Sequence, residues 1–233
     1  MILDIEYNDT KGSSLKIMAK ELPAIPAAKK RETSITIPGR DGTIYITDGA
    51  YESTEIKVKF NFIEMEDKWD ERWGVAKKWL APRNKHLKFS SDPEHFYKIS
   101  KVELEDAEHT SARICNFTAA FTTTDGLRYL EAGKNEHTID EVTWNPYEIS
   151  YPIYKIYGEG MCELVVNGKC MTANVGQNLI IDTERKIAYR EDGTLINTTV
   201  KGNYDELLLM EGENKISITA GFDFRIIPNW RCL

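Results

Sequence analysis

Asp92, Glu94 and His95 are the closest approach in this sequence to a group of side chains that could perform acid–base chemistry. A carboxylate beside a histidine can assist proton transfer to or from a substrate. These residues, however, flank Pro93 in a serine- and aspartate-rich segment, where acidic side chains ordinarily cap turns and face water. We therefore interpret the group as a structural turn, and we expect the protein not to be an enzyme.

Two further kinds of site would act on carbohydrate. A glycan hydrolase needs two carboxylates that face one cleft. Among 37 acidic residues such pairs arise by chance, and none is distinguished by its surroundings. A carbohydrate-binding protein would need aromatic rings for stacking. The aromatic residues of the second half that could stack on a sugar are Trp144, Tyr147, Tyr151, Tyr154, Tyr157 and Trp230. Their number is typical of β-sandwich packing, but carbohydrate binding is the alternative function that the sequence leaves open.

The cysteines and histidines indicate neither a metal site nor a disulfide. Cys162 and Cys170 flank an Asn-Gly pair at 167–168, which is the strongest hairpin signal in the chain. In that hairpin Cys170 faces Val165. Cys162 then faces Ala173, so the two sulfurs lie on opposite faces of the strands. No cysteine pair has ligand spacing, and the histidines are scattered at His86, His95, His109 and His137. We expect free thiols, no metal and no cofactor.

The balance of charge argues against nucleic-acid recognition. The chain has 30 Lys and Arg against 37 Asp and Glu, a net charge of −7. Up to residue 132 the counts are 20 against 22, and beyond it they are 10 against 15. Neither part has the basic excess that phosphate binding requires. One basic cluster at 29–31 follows a proline-containing extended segment at 22–28, and we interpret it as a solvated loop.

Length and hydropathy limit the possible architectures. The 233 residues are enough for two domains with separate cores. The first residues, Met-Ile-Leu-Asp-Ile-Glu, lack a basic region followed by an apolar one, so we expect no signal peptide. No apolar run approaches the length of a membrane span. These features predict a soluble protein that is made in the cytoplasm.

Residues 34–62 are the stretch around which the first elements are organised. Isoleucines alternate with polar residues on both sides of an Asp-Gly pair at 41–42, which predicts a β-hairpin in which Ile37 faces Ile46. A reversal at 48–49 precedes a third strand with the same alternation. The alternating residues are Ile35, Ile37, Ile44 and Ile46 in the hairpin and Ile56, Val58, Phe60 and Phe62 in the third strand. We therefore expect three strands that share one buried face.

Residues 67–80 give the clearest helical pattern. Acidic residues lie near the start and lysines near the end, which complements the helix dipole, and Pro82 ends the helix. Apolar side chains at helical spacing form a stripe of Trp69, Trp73, Ala76 and Leu80, with Trp79 at its border. A row of tryptophans could bind sugar, but at this spacing we interpret it as the core-facing side of a helix that covers the sheet.

Shorter strands complete a first domain over residues 1–132. They are predicted at 2–5, 15–17, 85–89, 97–104 and 113–121. With one helix on antiparallel sheet, this domain is α+β. The polar residues 133–145 are predicted to be a linker.

Residues 146–233 show no helical periodicity. Their short apolar runs lie at 154–157, 163–166, 179–182, 186–190, 195–199, 207–210, 215–219 and 222–227. Short strands separated by glycine-containing turns predict an all-β sandwich or jelly roll. The fold class of the whole chain is therefore mainly β.

A series of short motifs follows in order along the chain. In the first half these are Pro-Gly-Arg-Asp-Gly at 38–42, Asp-Gly-Ala-Tyr-Glu at 48–52, an Ile-x-Val-x-Phe-x-Phe strand at 56–62, Lys-Trp-Leu at 78–80, Leu-Lys-Phe at 87–89 and Asp-Pro-Glu-His-Phe-Tyr at 92–97. In the second half they are Tyr-Pro at 151–152, Ile-Tyr-Gly at 156–158, Val-Asn-Gly at 166–168, Ile-Ile-Asp at 180–182, Glu-Gly-Glu-Asn-Lys-Ile at 211–216 and Ile-Pro-Asn-Trp-Arg at 227–231. In this order the motifs closely resemble those of phage distal tail proteins, the siphovirus tail component family often called Dit.

The resemblance implies a structural protein of a phage or prophage virion. It implies a homo-hexameric ring at the tail tip, whose N-terminal domains surround the DNA channel and whose C-terminal galectin-like sandwiches project outward. The implied partners are the tail tube protein on one side, and the tail-associated hub protein and receptor-binding proteins on the other. No membrane or sequence-specific nucleic acid is implied.

The chain departs from the family pattern in two places. Thr-Thr-Asp-Gly at 123–126 stands where the family usually has Asp-Pro followed by an aromatic residue, so the exit from the first domain is expected to differ. The second domain also shows no inserted sugar-binding module.

Overall fold

The structure, a computed structural model, describes residues 4–111 and 113–233, and it is mainly β as predicted. The chain separates into two compact units, which are residues up to Arg128 together with Leu233, and Tyr129–Cys232. The segment 133–145, predicted as a linker, belongs to the second unit. It carries a one-turn helix whose Val142 is fully buried in that unit's core.

In its described residues the first unit contains one α-helix, α1 (Trp69–Leu80), and 3₁₀ turns at Gly12–Leu15 and Glu66–Lys68. Its strands are β1 (Ile5–Tyr7), β2 (Thr10–Lys11), β3 (Met18–Ala19), β4 (Lys30–Thr36), β5 (Thr43–Tyr51), β6 (Glu55–Ile63), β7 (Lys85–Phe89), β8 (Asp92–Leu104), β9 (Glu108–His109) and β10 (Ile114–Leu130), of which β10 continues into the second unit. The main sheet has the order β2-β1-β7-β8-β10-β6-β3, and β9 also pairs with β10.

The core of the first unit lies between this sheet and α1. Phe60 on β6 stacks on Phe117 of β10, with ring centroids 5.2 Å apart, and meets the ring of Trp79 edge-on at 5.8 Å. Trp79 donates its indole N–H to the carbonyl of Tyr7 (3.1 Å). The predicted helix and its core-facing role are therefore confirmed. Trp79, however, is only 7% exposed and lies deeper in the core than Trp73, so it does not mark the border of the stripe.

The hairpin prediction is confirmed in its existence but wrong in register and burial. Ile35 faces Ile44, and Ile46 faces Thr33 rather than Ile37, a displacement of four positions. An even displacement leaves the isoleucines on one face. The reversal predicted at 48–49 is absent, because β5 runs through it. β4 and β5 form a separate two-stranded sheet, and their isoleucines are exposed instead of sharing a buried face with β6.

Smaller differences occur at the ends of the first unit's strands. The strand predicted at 2–5 reaches the structure only as the start of β1, since Ile2 and Leu3 lie outside the described residues. The strand predicted at 15–17 is replaced by the end of a 3₁₀ turn. β8 begins at Asp92, within the predicted turn, and β10 passes through the divergent 123–126 segment without interruption.

The second unit contains α2 (Ile139–Val142) and 3₁₀ turns at Asn197–Thr199 and Tyr204–Glu206. Its strands are β11 (Trp144–Asn145), β12 (Ile153–Val166), β13 (Lys169–Asp182), β14 (Ile187–Tyr189), β15 (Val200–Lys201), β16 (Gly212–Glu213), β17 (Ile216–Ile218), β18 (Asp223–Ile227) and β19 (Arg231–Cys232). The larger sheet has the order β14-β13-β12-β17, with β15 on β13 and β18 on β12. β11 pairs with β16.

The hairpin between β12 and β13 forms as predicted. Val166 faces Lys169, and the two turn residues Asn167 and Gly168 have φ values of 51° and 78°. β12 is one continuous strand where two were predicted, because Gly158 lies inside it and does not begin a turn.

Two of the predicted strands in the second unit do not form as such. Residues 195–199 contain a 3₁₀ turn, and 207–210 make a single bridge between Ser150 and Leu209. Leu207 and Leu209 are nevertheless buried. Their alternation therefore reports burial of the side chains, not pairing of the backbone into a sheet.

Candidate assembly surface

One long stretch of the first unit has no residue in the core. From Met18 to Glu55 every residue is exposed or partly exposed, whereas Ile17 and Ile56 on either side are fully buried. The stretch contains the extended segment 22–28 and the two-stranded sheet of β4 and β5 with its loop 37–42. We call this two-stranded sheet and its loop the ribbon. A segment of this length without buried residues is unusual in a compact unit and indicates a surface for another molecule.

The ribbon carries an apolar face. Four isoleucines of the ribbon, three in its strands and one at the start of its loop, are between 37% and 52% exposed. They are Ile35, Ile37, Ile44 and Ile46. An isolated two-stranded ribbon is marginally stable in water, because it has no second layer to cover its apolar side chains. Contact with a partner would bury this face.

The extended segment 22–28 adds to this apolar surface. Pro23 and Pro26 hold it out of helix and sheet, and Leu22 is 67% exposed. The segment borders a cavity of ≈ 340 Å³, whose floor includes Phe89 and Tyr97. Exposed apolar groups therefore continue from the ribbon into the segment that precedes it.

The residues predicted as the nearest approach to a catalytic cluster lie beside this cavity. Oδ1 of Asp92 lies 2.8 Å from Nδ1 of His95, within hydrogen-bond distance. Nη1 of Arg128 lies 3.6 Å from the other oxygen of Asp92. Glu94 is exposed on β8. Two of the three residues are thus brought together, in an ion-pair arrangement with an arginine.

β6 has an open edge next to the ribbon. β3 pairs only with Phe60 and Asn61, and the N–H of Lys20 donates to the carbonyl of Lys59 (2.9 Å). In the described part of the chain, no strand pairs with residues 55–58 on this side. An unpaired strand edge of this kind is a template for pairing with another chain.

Cations along β6 are matched by carboxylates. Nζ of Lys57 lies 3.1 Å from Glu105, and Nζ of Lys59 lies 2.9 Å from Glu21. The hydrogen bond from each ammonium raises the pKa of that lysine. This surface therefore presents balanced charge, not a basic patch.

The basic cluster 29–31 was predicted to be a solvated loop but lies at the start of β4. Arg31 pairs with Asp48 across the ribbon, and Nζ of Lys30 lies 5.8 Å from the centre of the Tyr51 ring. Lys29 is exposed, and its carbonyl accepts a hydrogen bond from the N–H of Glu52 (2.8 Å). The cluster thus marks the base of the ribbon.

The six aromatic residues considered for sugar binding differ in their burial and in the groups that they contact. Tyr154 is fully buried and donates its hydroxyl to the carbonyl of Leu207 (2.7 Å), and burial raises its pKa. The guanidinium of Arg231 lies 4.6 Å from the centre of the Tyr151 ring. Trp230 packs against the rings of His137 and Tyr147, and Tyr157 donates to Glu191. Trp144 alone of the six is mostly exposed, at 63%.

Cys115, Cys162 and Cys170 are free thiols, as predicted. Cys162 is buried and Cys170 exposed on the opposite face, where its thiol donates to Glu163 (3.2 Å). Among residues 4–111 and 113–233, no three potential ligand side chains converge as a metal site would require. Over the same residues, no helix combines the length and apolarity needed to cross a membrane.

Comparison with solved structures finds the same fold in the Dit protein (gp19.1) of phage SPP1, with a TM-score of 0.68. The match covers 97% of this chain and 98% of that one, at 13% sequence identity. That protein is described as a paradigm of the hub adsorption apparatus in phages that infect Gram-positive bacteria. No protein-family model matches the sequence, and no curated protein does.

Proposed function

From the fold shared with this phage tail protein, we propose that the chain is a structural component of the tip of a long, non-contractile phage or prophage tail. Six copies form a ring that joins the tail tube to the tail-associated hub and receptor-binding proteins, and DNA passes through the ring. The protein is made in the bacterial cytoplasm and resides in the virion. The observation that carries the proposal is the stretch from Met18 to Glu55, which buries no residue in its own chain.

Ring formation is supported by the kinds of surface that the first unit exposes. The isoleucine face of the ribbon and the open edge of β6 are different surfaces of one subunit. Contacts between two different surfaces generate head-to-tail assemblies, which close into rings when the rotation permits. The ribbon of one copy is therefore proposed to pack on its neighbour.

Passage of DNA is supported by the charges on β6. Lys57 and Lys59 are each held by a carboxylate, so a wall built from this face would not retain phosphates. The chain's net charge of −7 favours the same behaviour.

The two parts of the chain are proposed to have different roles. Residues 1–132 carry ring assembly, and residues 146–233 project as a galectin-like sandwich that docks other tail proteins. These boundaries, with 133–145 between them, remain a prediction. The buried cluster of the second unit supports a fold with its own core.

The proposal is tested by native mass spectrometry of the intact protein. The decisive variant replaces the four exposed isoleucines with threonine (I35T, I37T, I44T and I46T), which retains β-branching and hence strand propensity. A control variant, M161T with L195T, removes two exposed apolar side chains from the second unit. We expect hexamers from the native chain and the control, and monomers from the ribbon variant.

If the native chain stays monomeric at all concentrations, the proposal of a self-assembling ring is wrong. Hexamers that persist in the ribbon variant would show that the exposed stretch is not the assembly surface. Near-identical circular dichroism of all three proteins establishes that the differences arise from association.

A further inference from the structure

The loop between β8 and β9 concentrates negative charge at the surface. Glu105, Asp106 and Glu108 are all exposed there. Glu105 forms an ion pair with Lys57, but neither Asp106 nor Glu108 forms one within residues 4–111 and 113–233. We call Asp106 and Glu108 the acidic pair. They border a cavity of ≈ 410 Å³ that Lys20 and Lys59 also line, although neither lysine forms an ion pair with them.

The base of the ribbon carries the opposite charge. Lys29 and Lys30 are exposed, and neither has a carboxylate partner in the described part of the chain. Arg31, by contrast, is already paired with Asp48. These four side chains are thus exposed charges without an ion pair among the described residues.

These two charged surfaces do not reach each other within one copy. Lys29 is held beside Glu52, just before β6 begins at Glu55. Glu108 faces Asn116, and Asn116 faces Asn61 near the other end of β6. Six residue steps separate Glu55 from Asn61, which is roughly 20 Å of extended strand.

We infer that the ribbon base of one copy docks on the acidic loop of the neighbouring copy, with Lys29 and Lys30 against Asp106 and Glu108. The inference rests on the proposed ring and names the partner surface of the ribbon. Complementary charges at separate places on one subunit set the direction and register of a head-to-tail contact.

The test compares three charge variants of the intact protein by mass photometry at about 50 mM and about 500 mM salt, where screening differs strongly. The first is K29E with K30E, the second is D106K with E108K, and the third combines all four. A matched control for the first variant, K201E with K215E, makes the same change of net charge at exposed sites of the second unit. Each two-site variant is expected to weaken ring formation by about tenfold at low salt, and the four-site variant to restore it.

A disulfide provides a second readout that does not depend on the strength of the charges. In a C170S background, K30C combined with D106C is expected to give an oxidative ladder up to six copies, whereas either cysteine alone gives none. If rings form equally well in all charge variants and no disulfide ladder appears, this interface is wrong, while the proposed ring still stands. A native chain that forms no ring would overturn both.

Discussion

Arg72 shows how single side chains hold the first unit together. Its Nη2 and Nε lie 2.9 and 3.1 Å from one carboxylate oxygen of Glu64, and its Nη1 donates to the carbonyl of Leu15 (3.1 Å). Helix α1 is thereby tied to the residue that follows β6 and to the 3₁₀ turn near the N-terminus. The hydrogen bond from Arg72 holds the pKa of Glu64 below its usual range.

This lowered pKa predicts a dependence of stability on pH. Since the folded-state pKa is the lower one, the pair contributes its full stability above the unfolded value of about 4.3 and loses it as pH falls through the folded value. Replacing Glu64 with glutamine should therefore reduce stability at neutral pH and shrink the loss on acidification. Urea midpoints at neutral and acidic pH measure both effects. E66Q, at an exposed site on the neighbouring turn, is the control, and an equal loss on acidification in E64Q and native protein would contradict the prediction.

Trp79 is the residue of helix α1 whose replacement we expect to reduce the free energy of unfolding most. It is 7% exposed, contacts Phe60 edge-on and satisfies its indole N–H with backbone carbonyls. W79A should cost about 3–5 kcal/mol, the usual range for emptying a buried tryptophan site. W73A should cost less, because Trp73 is only partly buried. Denaturant unfolding of both variants compares them, and a W73A loss equal to or above that of W79A would place the centre of the core elsewhere.

At the scale of elements, local sequence patterns predicted which residues form strands and turns. They predicted less well what those strands pack against. The alternation of isoleucines fixed which side chains share a face of the ribbon, and Asn-Gly at 167–168 fixed the register of β12 and β13. The ribbon's register was mispredicted because Asp-Gly at 41–42 was taken as the whole turn. That register would place Pro38 within a ladder to which it cannot donate a hydrogen bond, and the structure uses a loop of residues 37–42 instead.

Burial of the ribbon could not be predicted from its pattern. A period of two indicates one apolar face, but it does not say whether the cover is another part of the chain or another molecule. Gly158 was misread for a related reason, since a glycine with positive φ is typical of turns as well as of places where backbone and ring approach closely. Its φ is 149°, and a Cβ built there would lie 2.5 Å from the ring of Phe222.

The close approach at Gly158 predicts a difference between two neighbouring glycines. Gly160 also has a positive φ, of 109°, but a Cβ there would meet nothing within 4 Å. G158A should therefore lower the melting temperature further than G160A, because it adds a clash to the backbone strain that both share, at a cost of about 1–3 kcal/mol. Thermal unfolding of the two variants isolates the clash. Equal decreases in melting temperature would show that backbone strain, and not the clash with Phe222, accounts for the loss.

At the scale of the whole molecule, the order of motifs along the chain anticipated the fold that the comparison with SPP1 Dit then found at 13% identity. The polar segment 133–145 contributes Val142 to the core of the second unit, which its composition does not indicate, and its role as a linker stays a prediction. The assembly surface was only partly predictable. The sequence marks the cluster 29–31 as basic, but its place at the base of an exposed ribbon depends on how β4 and β5 leave the main sheet.

We propose that the protein builds a ring with a central channel. Negative-stain electron microscopy of the pure, intact chain tests it most directly, because particle shape and symmetry are seen without a tail partner. We predict ring-shaped particles with six-fold symmetry and an open centre, which disappear when the four ribbon isoleucines are replaced by threonine. Particles without a central opening, or monomers at every concentration, would contradict the account.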